Sequence, residues 1–191
     1  SRGLGDVYKR QVEKYSRFYG DTLGNLGNYR MYETPEATTE YYKTNQYPGN
    51  EKYVEELKAA YKDSRDKIQT FVDDLKNDAK TDDKEISDMN QKLIAEGEKT
   101  ISNIDARLKN LDNLPKDIYS KSQDDFIRAV DEATKVKDNT TNDFNNLLEE
   151  MNKALGINPN AMQNPGTMSN TNKNTNTCLL YTSDAADEED S

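Results

Sequence analysis

Nine aromatic residues crowd the first part of the chain: Tyr15, Phe18, Tyr19, Tyr29, Tyr32, Tyr41, Tyr42, Tyr47 and Tyr53. A tyrosine offers a flat apolar face and a polar tip, which suits recognition of sugars, peptides or partner surfaces. The same rings also suit a half-buried layer that caps a helical bundle. Within the set, Tyr29, Tyr32, Tyr41, Tyr42 and Tyr47 form the candidate partner-binding surface.

The carboxylates are a weaker lead. They occur as adjacent pairs at Asp73-Asp74, Asp82-Asp83, Asp124-Asp125 and Glu149-Glu150. Neighbours on a helix diverge by about 100°, so such a pair does not share a face and reads as solvated surface. The sequence contains no histidine. A bundle-core di-metal site of the Glu-x-x-His kind is therefore ruled out. "NDAKTDDKE" lacks the glycine and ligand spacing of an EF-hand loop. "GDTLGNLGN" has no Gly-Lys-Ser/Thr ending and no buried strand before it, so it makes a poor phosphate cradle. "NTT" at Asn139 matches a glycosylation acceptor but falls within a helical stripe. No catalytic residue, cofactor or metal is expected. An enzyme would need a deep pocket between helices with convergent Tyr, Glu and Arg side chains.

Three apolar stripes supply the scaffold. After "QYPGN", Val54, Leu57, Tyr61, Ser64, Ile68, Phe71 and Leu75 recur at spacings of three and four, which predicts a helix over 51–78 capped by Asn50. Asp82 and Glu85 resemble a capping box. They precede Ile86, Met89, Leu93, Gly97, Ile101, Ile104, Leu108 and Leu111, a second helix over 83–110. At 1.5 Å per residue it would be about 42 Å long. Gly97 lies on its stripe, where glycine costs about 1 kcal/mol of helix propensity. Close helix approach accounts for it better than a hinge.

The third stripe begins after the Leu114-Pro115 break. It runs through Ile118, Ser122, Phe126, Val130, Ala133, Val136, Thr140, Phe144, Leu147, Met151 and Leu155. "KDNTTND" is a weak helix former, but Val136, Thr140 and Phe144 keep phase, so one continuous helix is expected. Gly156 suits its C-terminal turn. No stripe is stable alone. The fold expected is all-α: an antiparallel three-helix bundle over 50–156.

A Tyr- and Gly-rich, partly helical region over 12–49 should cover one face or end of the bundle. There Val12, Tyr15, Tyr19, Leu23 and Leu26 keep helical spacing, and Thr34 with Pro35 starts a short helix. The Asn/Thr-rich stretch 157–177 lacks periodicity and reads as a disordered tail.

The two ends read differently again. Asp6–Gln11 can be encoded by a string that is the reverse complement of one encoding Cys178–Ser183. Folding imposes no such relation between codons. Segments 1–11 and 178–191 resemble the translated ends of a transposase-type sequencing adapter, and are expected to be non-native. The single cysteine, Cys178, falls in the second of them. Residues 12–177 therefore contain neither Cys nor His, which excludes disulfides, thiolate nucleophiles, Cys/His zinc sites and imidazole acid–base catalysis there.

Setting both ends aside moves the net charge from −10 to −7, because three Lys/Arg and six Asp/Glu leave with them. An acidic chain without a basic block is a poor partner for nucleic acid or an anionic membrane. No apolar run approaches the ~20 residues of a membrane span. The expectation is a non-catalytic bundle that binds or spaces. It would sit in an exported or cell-envelope protein and engage a protein or cell-surface polymer. The alternative is a cytosolic or virion coiled-coil element that self-associates.

Overall fold

The structure, a computed structural model, describes residues 2–29, 33–136 and 141–157. Among them the regular structure is helical throughout. The helices are α1 (Arg2–Leu26), α2 (Pro35–Thr44), α3 (Asn50–Asn77), α4 (Lys84–Asp112), α5 (Gln123–Thr134) and α6 (Thr141–Leu155), with a 3-10 turn at Lys116–Ser120. The stretch expected as a disordered tail lies outside the described residues from 158 onward.

The hairpin of α3 and α4 is the frame. All seven stripe residues of α3 are buried. Its ion pairs to α4 run in opposite order along the two helices: Lys58 with Asp112 at 3.0 Å, Arg65 with Asp105, and Lys76 with Glu98 at 3.1 Å. Exposed pairs of this kind add little stability each, but they record the register. At Gly97 the two helices pack closely. A Cβ built there would lie 2.5 Å from Val72 Cγ2 and 3.4 Å from Phe144 Cε1.

The start of α4 is displaced by one residue from expectation. Asp83, not Asp82, is the N-cap, and its Oδ1 accepts from the Ile86 amide at 3.0 Å. Asp82 instead accepts from Gln11 Nε2 of α1. Asp83→Ala should therefore cost about 1 kcal/mol in urea unfolding. Asp82→Ala should cost clearly less, and equal losses would contradict the assignment.

The third stripe is not one helix. The helix α5 stops at Thr134, and Lys135 is extended at φ −54°, ψ 140°. The Thr134 hydroxyl turns back onto the Val130 carbonyl at 2.8 Å, while Asn110 Nδ2 of α4 donates to the Thr134 carbonyl at 3.4 Å. The last carbonyl of α5 thus takes its hydrogen bond from a neighbouring helix rather than from a following turn. Ahead of α5, Ile118 belongs to the 3-10 turn and Ser122 is the N-cap.

The helix α4 touches α3, α5 and α6, and α1 lies along α3. Along α1, Tyr15, Tyr19, Thr22 and Leu26 are buried at helical spacing. Tyr15 Oη donates to Asn90 Oδ1, and Thr22 Oγ1 donates to Asp74 Oδ2 at 2.6 Å. No break in α1 marks the 11/12 boundary drawn from the codons. Among the side chains described along it, Val7 is exposed, and the first fully buried ring is Tyr15.

Candidate functional site

A ladder of rings closes one end of the α3–α4 hairpin. Tyr41 meets Tyr42 edge-on, with centroids 5.0 Å apart, and Tyr42 meets Tyr47 in the same way at 5.0 Å. Tyr47 contacts Tyr53 at 5.8 Å, and Tyr53 contacts Phe126 at 6.2 Å, itself 5.1 Å from Tyr119. The Tyr41–Tyr42, Tyr42–Tyr47 and Tyr53–Phe126 contacts are near-perpendicular, a favoured aromatic geometry, and the other two are tilted. The rings fill one another's space, so they do not form a hollow cage.

Asn50 ties the ladder down. Its Oδ1 accepts from Tyr47 Oη at 2.6 Å, and its Nδ2 donates to the Tyr119 and Lys121 carbonyls, both at 3.0 Å. The residue expected as a helix cap is thus a clasp between the α2–α3 connection and the start of α5; the cap position itself is Gly49. Burial pushes the Tyr47 phenol up to about 12, helped by Tyr42 and Glu51.

The five candidate tyrosines do not share one surface. Tyr41, Tyr42 and Tyr47 stand together at the ladder's outer end, each half-buried. Tyr29 is 2% exposed, packs on Phe144 and donates to Asn145 Oδ1 of α6. It belongs to the core, because its ring packs on α6 rather than facing solvent. Tyr32 lies outside the described residues.

Beside the ladder is a narrow cleft between α2, α3, α4 and α5. Glu33, Thr38, Tyr61, Arg107 and Asp131 line it with Tyr53, and Leu57, Ile127 and Val130 form its apolar wall. Arg107 is 6% exposed. Thr38 Oγ1 donates to Glu33 Oε2 at 3.1 Å, which holds that carboxylate at the cleft. Tyr, Glu and Arg therefore converge, as an enzyme would need. The volume is about 20 Å³, room for one water or so and far below the ~300 Å³ of a small-molecule pocket.

Sequence reasoning missed Arg107. The signal was its spacing: Ile104, Arg107 and Leu111 continue the three-four rhythm of α4. An arginine on an apolar stripe was passed over for Leu108, which is only half-buried.

Among the described residues, no group of three or more His, Cys, Asp or Glu is placed to hold a metal ion, and no helix is long and apolar enough to cross a membrane. Comparison with protein-family models, curated proteins and solved structures returns no match for this chain.

Proposed function

We propose that this chain is a non-catalytic helical-bundle element that works by binding or spacing, within an exported or cell-envelope protein. The bundle is read as antiparallel and three-layered, with α5 and α6 sharing the third layer. The observation that carries the binding role is the outer end of the ring ladder. Tyr41, Tyr42 and Tyr47 are held edge-to-face yet remain half-exposed. Rings already fixed by packing lose little side-chain entropy when a partner covers them. A cell-surface polymer with flat sugar faces, or a protein surface, suits such rings.

Cosedimentation with purified peptidoglycan tests this reading. Wild-type chain should pellet with the polymer, and Tyr41→Ala/Tyr47→Ala should lose about tenfold or more in apparent affinity. Equal pelleting of both proteins, or none by either, would remove the envelope-binding role. A signal peptide encoded upstream in the source gene would support export independently.

The alternative of self-association predicts exposed stripes. Here the stripes are used within the chain: among the described residues, Val7 is the one large apolar side chain that is exposed, at 49%. Sedimentation velocity should therefore give a monomer across a hundredfold range of concentration. Concentration-dependent dimers or larger species would favour the coiled-coil reading instead.

A further inference from the structure

The chain has twelve tyrosines and no tryptophan, and its single cysteine lies in the end segment read as non-native. Its phenols are therefore the groups that give up one electron most readily. The fold sorts them by access. Tyr15, Tyr19, Tyr29, Tyr53 and Tyr61 are buried. Among the described side chains, the tyrosines that reach solvent are Tyr41, Tyr42, Tyr47 and Tyr119, and all four belong to the ring ladder. Three phenols there are mutual neighbours: Tyr42 lies 5.0 Å from Tyr47 and 6.1 Å from Tyr53, and Tyr47 lies 5.8 Å from Tyr53. Tyr41 joins them through Tyr42 at 5.0 Å. Tyr119 is set apart, because it reaches the others through Phe126, which has no hydroxyl. Electron exchange between rings in contact outpaces the encounter of two proteins, which diffusion and orientation limit.

The protons decide where a radical settles, because a tyrosyl radical forms by loss of an electron and the phenolic proton together. Tyr47 Oη donates to Asn50 Oδ1 at 2.6 Å, a neutral amide oxygen that does not take the proton, and burial raises this phenol to about 12. Tyr53 is buried, and Tyr42 and Tyr47 pack against the core. Tyr41 is the terminal ring, half-exposed and in contact with Tyr42. We infer that the cluster is a one-electron oxidation site, in which Tyr42, Tyr47 and Tyr53 pass the electron deficit to Tyr41 and two copies of the chain join there as a dityrosine. The oxidant class is a peroxide, used by a haem peroxidase. Two phenols each give one electron and one proton, and the peroxide takes up both pairs to become two waters. The two radicals form one bond between ring carbons beside the hydroxyls. The hydrogens on those carbons then move to the oxygens, which restores both phenols. One coupling ring per chain stops the product at a dimer. The link does not depend on polymer binding by the same rings, and its readout is covalent.

The test uses the full chain carrying Tyr8→Phe and Tyr181→Phe, which remove the tyrosines of the two end segments, and treats it with a haem peroxidase and hydrogen peroxide. A dimer that resists reductant and shows dityrosine fluorescence should form. Peptide mass spectrometry should join Tyr41 of one copy to Tyr41 of the other, and Tyr41→Phe should abolish the dimer. Adding Tyr42→Phe/Tyr47→Phe keeps the rings but removes two phenols, and should lower the yield at Tyr41 severalfold with helix content unchanged. An equal yield would mean that Tyr41 reacts alone, which overturns the relay. The mapping of the link stands without that double variant, should it fail to fold. Absence of a dimer, a link placed at Tyr32 or Tyr119 in place of Tyr41, or a dimer retained by Tyr41→Phe would overturn the proposal.

Discussion

Gly97→Ala should lower the stability of this protein by about 1–2 kcal/mol, although alanine is the better helix former. Relief of the glycine propensity cost favours the variant by about 1 kcal/mol. Against that, the new methyl would lie 2.5 Å from Val72 Cγ2 and 3.4 Å from Phe144 Cε1. Overpacking of this kind costs about 1–3 kcal/mol. Val72 is fully buried and β-branched, so its methyl has no free rotamer to retreat into. The upper part of the range is therefore expected to outweigh the propensity gain. Urea unfolding measures the difference. Val72→Ala placed with Gly97→Ala should cost less than the two single changes added together, because one methyl vacates what the other needs. A higher urea midpoint for Gly97→Ala alone would show that α3 and α4 are not in close contact there.

Alkaline pH should unfold the protein cooperatively. Burial pushes the phenols of Tyr15 and Tyr19 far above their ordinary value of 10, and for Tyr19 the nearby Tyr15 and Tyr29 add to it. Tyr19 is fully buried, and among the described residues its hydroxyl meets no hydrogen-bond partner. The folded chain thus keeps protons that the unfolded chain releases. Stability is complete below pH 10 and falls as pH rises above it. Two such groups remove about 3 kcal/mol per pH unit, at about 1.4 kcal/mol each. Tyr47 contributes less because it is partly exposed, and its share levels off near 12. With native stabilities of about 5–15 kcal/mol, helix content should collapse within a few pH units above 10, together with a late step in phenolate absorbance. Tyr19→Phe should move the collapse to higher pH. A smooth phenolate titration centred near 10 with full helix content would contradict the burial of these rings.

The all-α class was legible from spacing alone, because apolar residues at three-four intervals are what a buried helix face demands. In α3 every stripe residue from Val54 to Leu75 is buried. Legibility failed where polar side chains hold structural posts. At the end of α5, Asn110 of another helix serves the Thr134 carbonyl, and periodicity within 115–156 carries no trace of that. Arg107 and Asn90 lie on buried faces that a hydrophobicity pattern reads as solvent. At the candidate site, the richness in tyrosine was visible and its division was not. Tyr29 and Tyr41 look alike in the sequence, and only the position of α6 sends one to the core while the other stays at the rim.

The Tyr29–Asn145 hydrogen bond joins residues 116 positions apart. During synthesis at about 5–20 residues per second, the partner of Tyr29 emerges roughly ten seconds after it. The α3–α4 hairpin is local and can close as soon as it is made, within microseconds to milliseconds. For the interval between, α1 has α3 and α4 to lie on but no lid over Tyr29 and Phe71. A chain threaded through an export pore or arrested on a ribosome before Asn145 would present those rings to whatever chaperone or membrane surface stands at the exit. The helix α6 is thus the clasp that ends the exposure of these rings, and a stop codon placed just before it should convert a folded protein into a chaperone client.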